Sequence, residues 1–200
     1  MSKVSGTLYF LCLLFVCRVV SAASIALLEE SIDIKKQKTI TTAVSAVSLR
    51  KSINYHQLKE VGSATFTFLF WDVYRSSLYT TSGAYPLKNN HQVLVLNIEY
   101  LRDIEKSELI EQTIAQWQHI GLKEQEFSHF VVQLEEIWPN ITAGDSLALL
   151  IDDETNHFYL NNQPIGVIQN NNFGQIFIDI WLSKKTSQPK LRKQLIGRKK

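Results

Sequence analysis

The hydrophobic pattern of the folded core begins at Val61 and is typical of β-structure. Large apolar side chains alternate through residues 65–73 on both faces of an extended backbone. This predicts one strand that is covered on both sides or lines a cavity. Residues 74–80 are predicted to continue into a partner strand, and the β-branched and aromatic residues 93–101 predict another. Gly, Pro and paired Asn predict a loop over 83–90.

Two helices are predicted next. The first begins at Ser107, a favourable N-cap, and ends at Gly121, with Ile110, Ile114 and Trp117 on its apolar face. The second ends at Pro139. Its apolar residues at helical spacing are Phe127, Phe130, Val131, Leu134 and Trp138.

Three short strands and a last amphipathic helix complete the pattern. The strands are predicted over 146–151, 157–160 and 165–168, separated by polar turns. The helix presents Phe173, Ile176, Phe177, Ile180 and Trp181 on one face. The order of elements predicts an α+β fold, an antiparallel β-sheet with α-helices layered on one face. We expect one folded domain over 58–197, preceded by an irregular lead-in over 23–57.

The N-terminus predicts the compartment. A basic Lys3, an apolar run over 8–17 and small residues at 20–22 are typical of a cleavable signal peptide spanning residues 1–22. The alternative is an uncleaved anchor, but the run is shorter than the roughly 20 residues that span a bilayer. We therefore expect a periplasmic or secreted protein. Both cysteines, Cys12 and Cys17, would be removed with the signal, which excludes disulfide and thiolate chemistry from the mature chain.

Charge is concentrated at the C-terminus. Eight of the chain's 21 lysines and arginines lie in residues 184–200, where there is no acidic residue. This tail could dock on an anionic membrane surface, fold back on the more acidic body, or simply be solvated. Export argues against nucleic acid as a partner.

Motifs for metal or cofactor chemistry are weak. The five histidines lack metal-ligand spacing, and the acidic residues 152–154 lack the rest of a calcium loop. The sequence has no Gly-rich phosphate loop and no Gly-x-Ser-x-Gly turn. We expect neither a metal nor a cofactor.

Several short motifs together resemble the bacterial chalcone-isomerase-like proteins, in order and spacing, over about 58–197. They are Val73-Tyr74 with Leu78-Tyr79, Trp117 to Gly121, Ala143 to Ser146, Ile165-Gly166, Pro189 to Arg192, and Leu195 to Gly197. The resemblance implies an antiparallel sheet with helices packed over it and an apolar cleft between the layers. It also implies that residues 189–197 form a packed helix, with Leu191, Leu195 and Ile196 against the domain and the basic side chains outside.

The resemblance does not extend to the catalytic residues. Plant chalcone isomerases hold the phenolate and polarise the ketone with an Arg, two Thr, a Tyr and an Asn, fixed donors aimed where charge develops. The matching positions here are, in that order, Phe66, Leu69, Ile180, Glu105 and Gln112. No arginine lies between Lys51 and Arg75, so we do not expect chalcone cyclisation.

Some members of the wider family bind fatty acids, using Arg and Tyr for the carboxylate. The candidate ligand-binding residues here are Trp71, Tyr74, Tyr79, Tyr100, Arg102 and Trp117. Plain core packing is the alternative for the aromatics, and a surface ion pair with Asp103 is the alternative for Arg102. The leading hypothesis is a non-catalytic protein that binds an apolar or amphipathic molecule. The alternatives are an isomerase or lyase using Tyr74 or Tyr79 as acid, and a structural or protein-interaction module.

Overall fold

The alternating patterns form six strands in the described part of the chain, each antiparallel to its neighbour in sequence. They are β1 (Lys59–Phe68), β2 (Trp71–Thr80), β3 (Leu94–Tyr100), β4 (Ser146–Ile151), β5 (Asn156–Leu160) and β6 (Gln163–Ile168). Their order in space is also β1-β2-β3-β4-β5-β6. The computed structural model describes residues 52–87, 93–152 and 155–197, which belong to one compact unit, Leu49–Lys200.

Four helices accompany the sheet in these residues: α1 (Lys106–Ile120), α2 (Glu124–Ile137), α3 (Phe173–Leu182) and α4 (Pro189–Leu195). They pack over one face, which confirms the predicted α+β class. The expected signal peptide and most of the lead-in lie outside the described residues. The end of the lead-in is described, and there Tyr55–Gln57 forms a short 3-10 helix. Within the described ranges no helix is long and apolar enough to cross a membrane.

The sheet has two different faces because side chains alternate along each strand. Leu96, Ile98 and Leu149 point toward the helices and belong to the main core. Val95, on the opposite face, joins a smaller cluster with Ile53, Ala148 and Tyr159. The backbone N–H of Ile53 donates to Asn162 Oδ1 (2.8 Å), which holds this segment to the sheet.

The prediction of one strand over 65–73 is wrong. The chain reverses at Leu69 and Phe70, so that Phe68 pairs with Trp71 and Phe66 pairs with Tyr74. Leu69 adopts a left-handed backbone conformation (φ 56°) that is more usual for Gly or Asn. The turn therefore carries none of the residues that signal a hairpin in a sequence.

Helix α1 ends where it was predicted to end but begins differently. Gly121 closes it with φ 101°. The N-cap is Glu105, not Ser107, and its side chain makes no capping hydrogen bond. Instead Asn140 Oδ1 accepts from the backbone N–H of Lys106 (2.9 Å). The capping group is distant in sequence, so the local pattern around Ser107 could not reveal it.

Helix α4 packs tightly on β1. Leu191 and Leu195 are buried and Ile196 is half-buried, which confirms the packed C-terminal helix. Gly62 lies where a side chain would meet the carbonyl oxygens of Gln194 and Leu195. The end of α4 therefore approaches the strand more closely than any residue with a Cβ would permit.

The basic side chains of α4 are only partly as predicted. Lys190 and Lys193 are exposed. Arg192 is half-buried, and its Nε donates to the carbonyl oxygen of Leu182 (2.6 Å). Residues 198–200 lie outside the described part, so the expected membrane contact of the basic tail stays a prediction.

Candidate ligand-binding cleft

A cleft of about 550 Å³ lies between the sheet and the helices. Strands β1 to β5 supply one wall, α1 and α3 supply the other, and residues 186–188, just before α4, reach its edge. The aliphatic and phenylalanine side chains that line it are those of Phe66, Phe68, Val73, Leu96, Ile98, Ile104, Leu109, Leu147, Leu149, Phe158, Phe177 and Ile180. A volume of this size falls within the range of about 300–1,000 Å³ typical of small-molecule sites.

An aromatic row follows the β1–β3 side of the cleft. The Phe66 ring stacks on Tyr74 with centroids 5.1 Å apart, and Tyr74 meets Tyr100 edge-on at 6.1 Å. The row follows from the strand register, in which Tyr74 pairs with Phe66 on one side and Tyr100 on the other. Cross-strand pairs share one face of a sheet, so these three rings line the same wall.

The two tyrosine hydroxyls are the polar groups of this wall. Trp181 Nε1 donates to the Tyr74 hydroxyl oxygen (3.0 Å). Burial raises the pKa of Tyr74 to about 12, although the Trp181 hydrogen bond opposes the shift. Burial also raises the pKa of Tyr100, and the neighbouring Tyr74 adds to that shift. Both phenols therefore keep their protons at neutral pH and can donate to an oxygen atom in the cleft.

The rim of the cleft is polar. Four exposed residues line it: Arg102, Asp103, Glu108 and Gln112. Asp103 Oδ1 accepts from the backbone N–H of Ala143 (2.8 Å). Within the described ranges no carboxylate forms a salt bridge with Arg102, so the alternative of an Arg102–Asp103 surface pair is wrong. The Arg102 guanidinium is thus available at the rim.

A second feature of the wall is Trp138, the C-cap residue of α2. Its indole is buried against Phe158 and Phe177, both edge-on. Trp138 Nε1 has no hydrogen-bond partner among the described residues. An unpaired buried donor costs free energy. Trp138 therefore adds one uncharged, unsatisfied donor to a cleft wall that is otherwise aromatic here.

The structure brings together three of the six predicted ligand-binding residues. Tyr74, Tyr100 and Arg102 line the cleft. The other three, Trp71, Tyr79 and Trp117, do not line it, so that part of the expected arrangement is wrong. Whether any of the six binds a ligand stays a prediction.

Trp71, Tyr79 and Trp117 are outside the cleft for three different reasons. Trp71 sits at the β1–β2 turn and is 66% exposed. Tyr79 is on the opposite face of the sheet, edge-on to Tyr55 at 5.1 Å. Trp117 is fully buried between helices, where its Nε1 donates to the carbonyl oxygen of Ile176 (3.1 Å). For Trp117 the core-packing alternative describes the observed position.

Five positions of this chain match the catalytic residues of plant chalcone isomerases, and three of them line the cleft: Phe66, Ile180 and Gln112. None of the three is the residue that the plant enzymes have at that position. Leu69 lies at the exposed turn, and Glu105 caps α1. The wall around the aromatic row is therefore apolar where chalcone isomerases place fixed donors.

Sequence reasoning missed Trp138, Phe177 and Trp181 as cleft residues. Each had been assigned correctly to the apolar side of a predicted helix. That signal shows that a residue faces the sheet, but not that a gap remains beneath it. Metal binding is a separate question, and in the described ranges no three His, Cys, Asp or Glu side chains cluster closely enough to hold an ion.

Comparison with known proteins agrees with this architecture. A family model described as chalcone isomerase-like matches residues 41–197. A Haemophilus influenzae protein described as uncharacterized is 23% identical over 157 residues, which is 78% of this chain and 77% of that protein. The crystal structure of an Arabidopsis thaliana fatty-acid binding protein superposes with a TM-score of 0.55 at 10% identity. That match covers 73% of this chain and 89% of the plant chain, and it shows a shared fold.

Proposed function

This chain belongs to the chalcone isomerase-like family, and we propose that it binds an amphipathic small molecule without catalysis, with a fatty acid as the leading candidate. The observation that carries the proposal is the open cleft of about 550 Å³, apolar inside and polar at its rim. The fatty-acid binding of the plant protein with the same fold supports this choice of ligand.

The cleft volume sets the size of the ligand. A methylene group takes up about as much space as a water molecule in the liquid, roughly 30 Å³. A cleft of about 550 Å³ therefore matches the volume of an acyl chain of roughly 18 carbons. This agrees with a single medium or long acyl chain as the ligand.

The charge distribution sets the orientation of the ligand. A buried carboxylate without a cationic partner is strongly unfavourable. The inner wall offers only uncharged donors, the hydroxyls of Tyr74 and Tyr100 and the indole N–H of Trp138, while Arg102 stands exposed at the rim. We therefore place the carboxylate beside Arg102 and the acyl chain inward, against Ile98 and Leu149.

Binding is favoured over acid–base catalysis by the same tyrosines. A general acid or base works best when its pKa lies near the operating pH. The pKa of Tyr74 is about 12, and that of Tyr100 is raised further by full burial. An isomerase or lyase that uses them would need a substrate able to shift these values substantially.

We also propose that the protein acts after export, in the periplasm or outside the cell. The apolar run over 8–17, followed by small residues at 20–22, supports this. The absence of cysteine from residue 18 onward fits either compartment, since the domain does not depend on a disulfide.

The test is a calorimetric titration of delipidated protein with a C16 fatty acid and with the C16 alcohol. Arg102→Gln should weaken fatty-acid binding about two- to fivefold, the range for an exposed ion pair, and leave the alcohol unaffected. Arg75→Gln is the matched control, because Arg75 is exposed, lies outside the cleft and pairs with Glu99 (3.8 Å). Equal effects of the two substitutions would contradict the proposed orientation.

A second pair of variants tests the cleft itself. Leu109→Trp adds volume to the cleft wall and should reduce affinity for both ligands by tenfold or more, on the order of the apolar contact it displaces. Ile114→Trp makes the same kind of change on the same helix, outside the cleft lining. If no acyl compound binds the wild-type protein, the proposed function is wrong.

A further inference from the structure

The turn between β1 and β2 exposes four consecutive large apolar residues, Phe68, Leu69, Phe70 and Trp71, here called the tip. Their exposed fractions are 60%, 75%, 93% and 66%. Elsewhere in the described ranges, Val132 is the one large hydrophobic residue exposed to a similar degree, at 57%. In the part of the chain that the structure describes, apolar exposure is thus concentrated at one point, which is typical of an interaction site.

The backbone behind the tip is fixed. Thr67 Oγ1 donates to Asp72 Oδ1 (2.6 Å), and these two residues pair across the strands immediately behind the turn. Leu69 occupies a left-handed turn position (φ 56°) where Gly or Asn would be accommodated more easily. The turn therefore holds a large apolar side chain at a position where the backbone alone would favour a smaller residue.

We propose that the tip inserts into the interfacial layer of a lipid bilayer and holds the rim of the cleft against the membrane. Three features favour a bilayer as the occupant. The tip is a convex end of a hairpin and not a flat patch, its four side chains carry no charge, and one of them is Trp, which prefers the membrane–water interface.

Continuity with the cleft is a fourth feature that favours a lipid surface. Phe68 is 60% exposed at the tip and also lines the cleft. Val73 and Arg102 line the same cleft, and the backbone N–H of Leu101 donates to the Val73 carbonyl oxygen (2.9 Å), so Arg102 lies close behind the tip. This step of the argument rests on the proposed function, because it assumes that the cleft receives a lipid-derived ligand.

The experiment measures co-sedimentation with phosphatidylcholine vesicles. Phe70→Asp should weaken vesicle binding at least about tenfold, because it replaces a fully exposed apolar side chain with a charge. Val132→Asp, the matched control on α2, should bind as the wild type does. Binding should also persist at high salt, since an inserted apolar tip does not depend on screened charges. Both variants should melt at the wild-type temperature, because both side chains are exposed.

Trp71 provides a direct readout of depth. Vesicles should shift its emission to the blue, lipids brominated on the acyl chain should quench it, and both effects should disappear in Trp71→Phe. The N-terminal residues are the same in every variant, so any membrane affinity of residues 8–17 contributes equally and does not affect the Trp71 signal.

Three results would overturn the inference. One is an unchanged Trp71 spectrum in the presence of vesicles. Another is vesicle binding that requires anionic lipid and is lost on deletion of 198–200, which would assign it to the basic tail. The third is a concentration-dependent dimer that Phe70→Asp disrupts, which would assign the tip to a second copy of the chain. Fatty-acid titration in vesicle-free buffer tests the proposed function separately, so either idea can fail alone.

Discussion

Gly62→Ala should release α4 from the sheet. A Cβ at this position would lie 2.8 Å from the carbonyl oxygen of Leu195 and closer still to that of Gln194. Both are backbone atoms near the end of α4, so no side-chain rotation can relieve the contact. The strand and the helix must move apart.

The free-energy cost is limited by what α4 contributes when docked. Its packing buries Leu191 and Leu195, and full burial of a leucine side chain is worth about 1.5–3 kcal/mol. Overpacking of a close contact typically costs about 1–3 kcal/mol. We expect the free energy of unfolding to fall by about 3 kcal/mol. For a domain of this size that corresponds to a decrease in Tm of about 6–12 °C.

Urea unfolding of five variants measures this effect. Ser63→Ala, the exposed neighbour of Gly62 on β1, is the control and should stay within about 0.5 kcal/mol of wild type. Deletion of 189–200 should lower stability by at least as much as Gly62→Ala, whereas deletion of 198–200 should not. In the chain that lacks 189–200, Gly62→Ala should not lower the free energy of unfolding further, because the backbone atoms that the new Cβ would contact are no longer present. A full Gly62→Ala loss in the deletion background would refute the reasoning.

Three further predictions concern pH, catalysis and processing. Burial raises the pKa of Tyr100 in the folded state. The contribution of protonated Tyr100 to the free energy of unfolding is therefore intact below pH 10, the ordinary tyrosine pKa, and is lost as pH rises through the folded pKa. Tyr100→Phe should flatten the alkaline decline in urea-unfolding free energy by up to about 1.4 kcal/mol per pH unit. The purified protein should not cyclise chalcones, since Phe66 and Ile180 replace donors each worth about 100- to 1,000-fold in rate, and an absorbance assay giving turnover of about 1 per second or more would contradict this. N-terminal sequencing of the exported product should begin near Ala23, and an intact Met1 in a soluble cytoplasmic fraction would oppose it.

The fold could be predicted from the sequence where the signal was local. Alternation predicted β3 to β6, and helical spacing with a terminal Gly121 or Pro139 predicted α1 and α2. The β1–β2 hairpin could not be predicted in this way, because its turn consists of Leu69 and Phe70 with no Gly, Asn or Pro. The start of α1 was missed for a different reason, since its capping partner, Asn140, lies 34 positions away.

The candidate site could be predicted only in part, and one error was avoidable. Tyr74 and Tyr79 are an odd number of residues apart on one strand, so alternation places them on opposite faces, as observed. The position of Trp71 depended on the unrecognised turn. The gap beneath Trp138 and Phe177 depends on the distance between the helices and the sheet. No local sequence pattern encodes that distance.

The two proposals together constrain how a ligand would enter. Neutral hydroxyls inside and Arg102 at the rim favour a carboxylate that stays outside while the acyl chain lies within. If the tip holds the rim at the bilayer interface, the acyl chain passes from one apolar phase into another, and the carboxylate remains at the level of the headgroups throughout. Neither end of the ligand then has to cross an unfavourable environment. A cleft with its cation buried at the inner end would instead require the charged group to cross the apolar wall, which is the costly route.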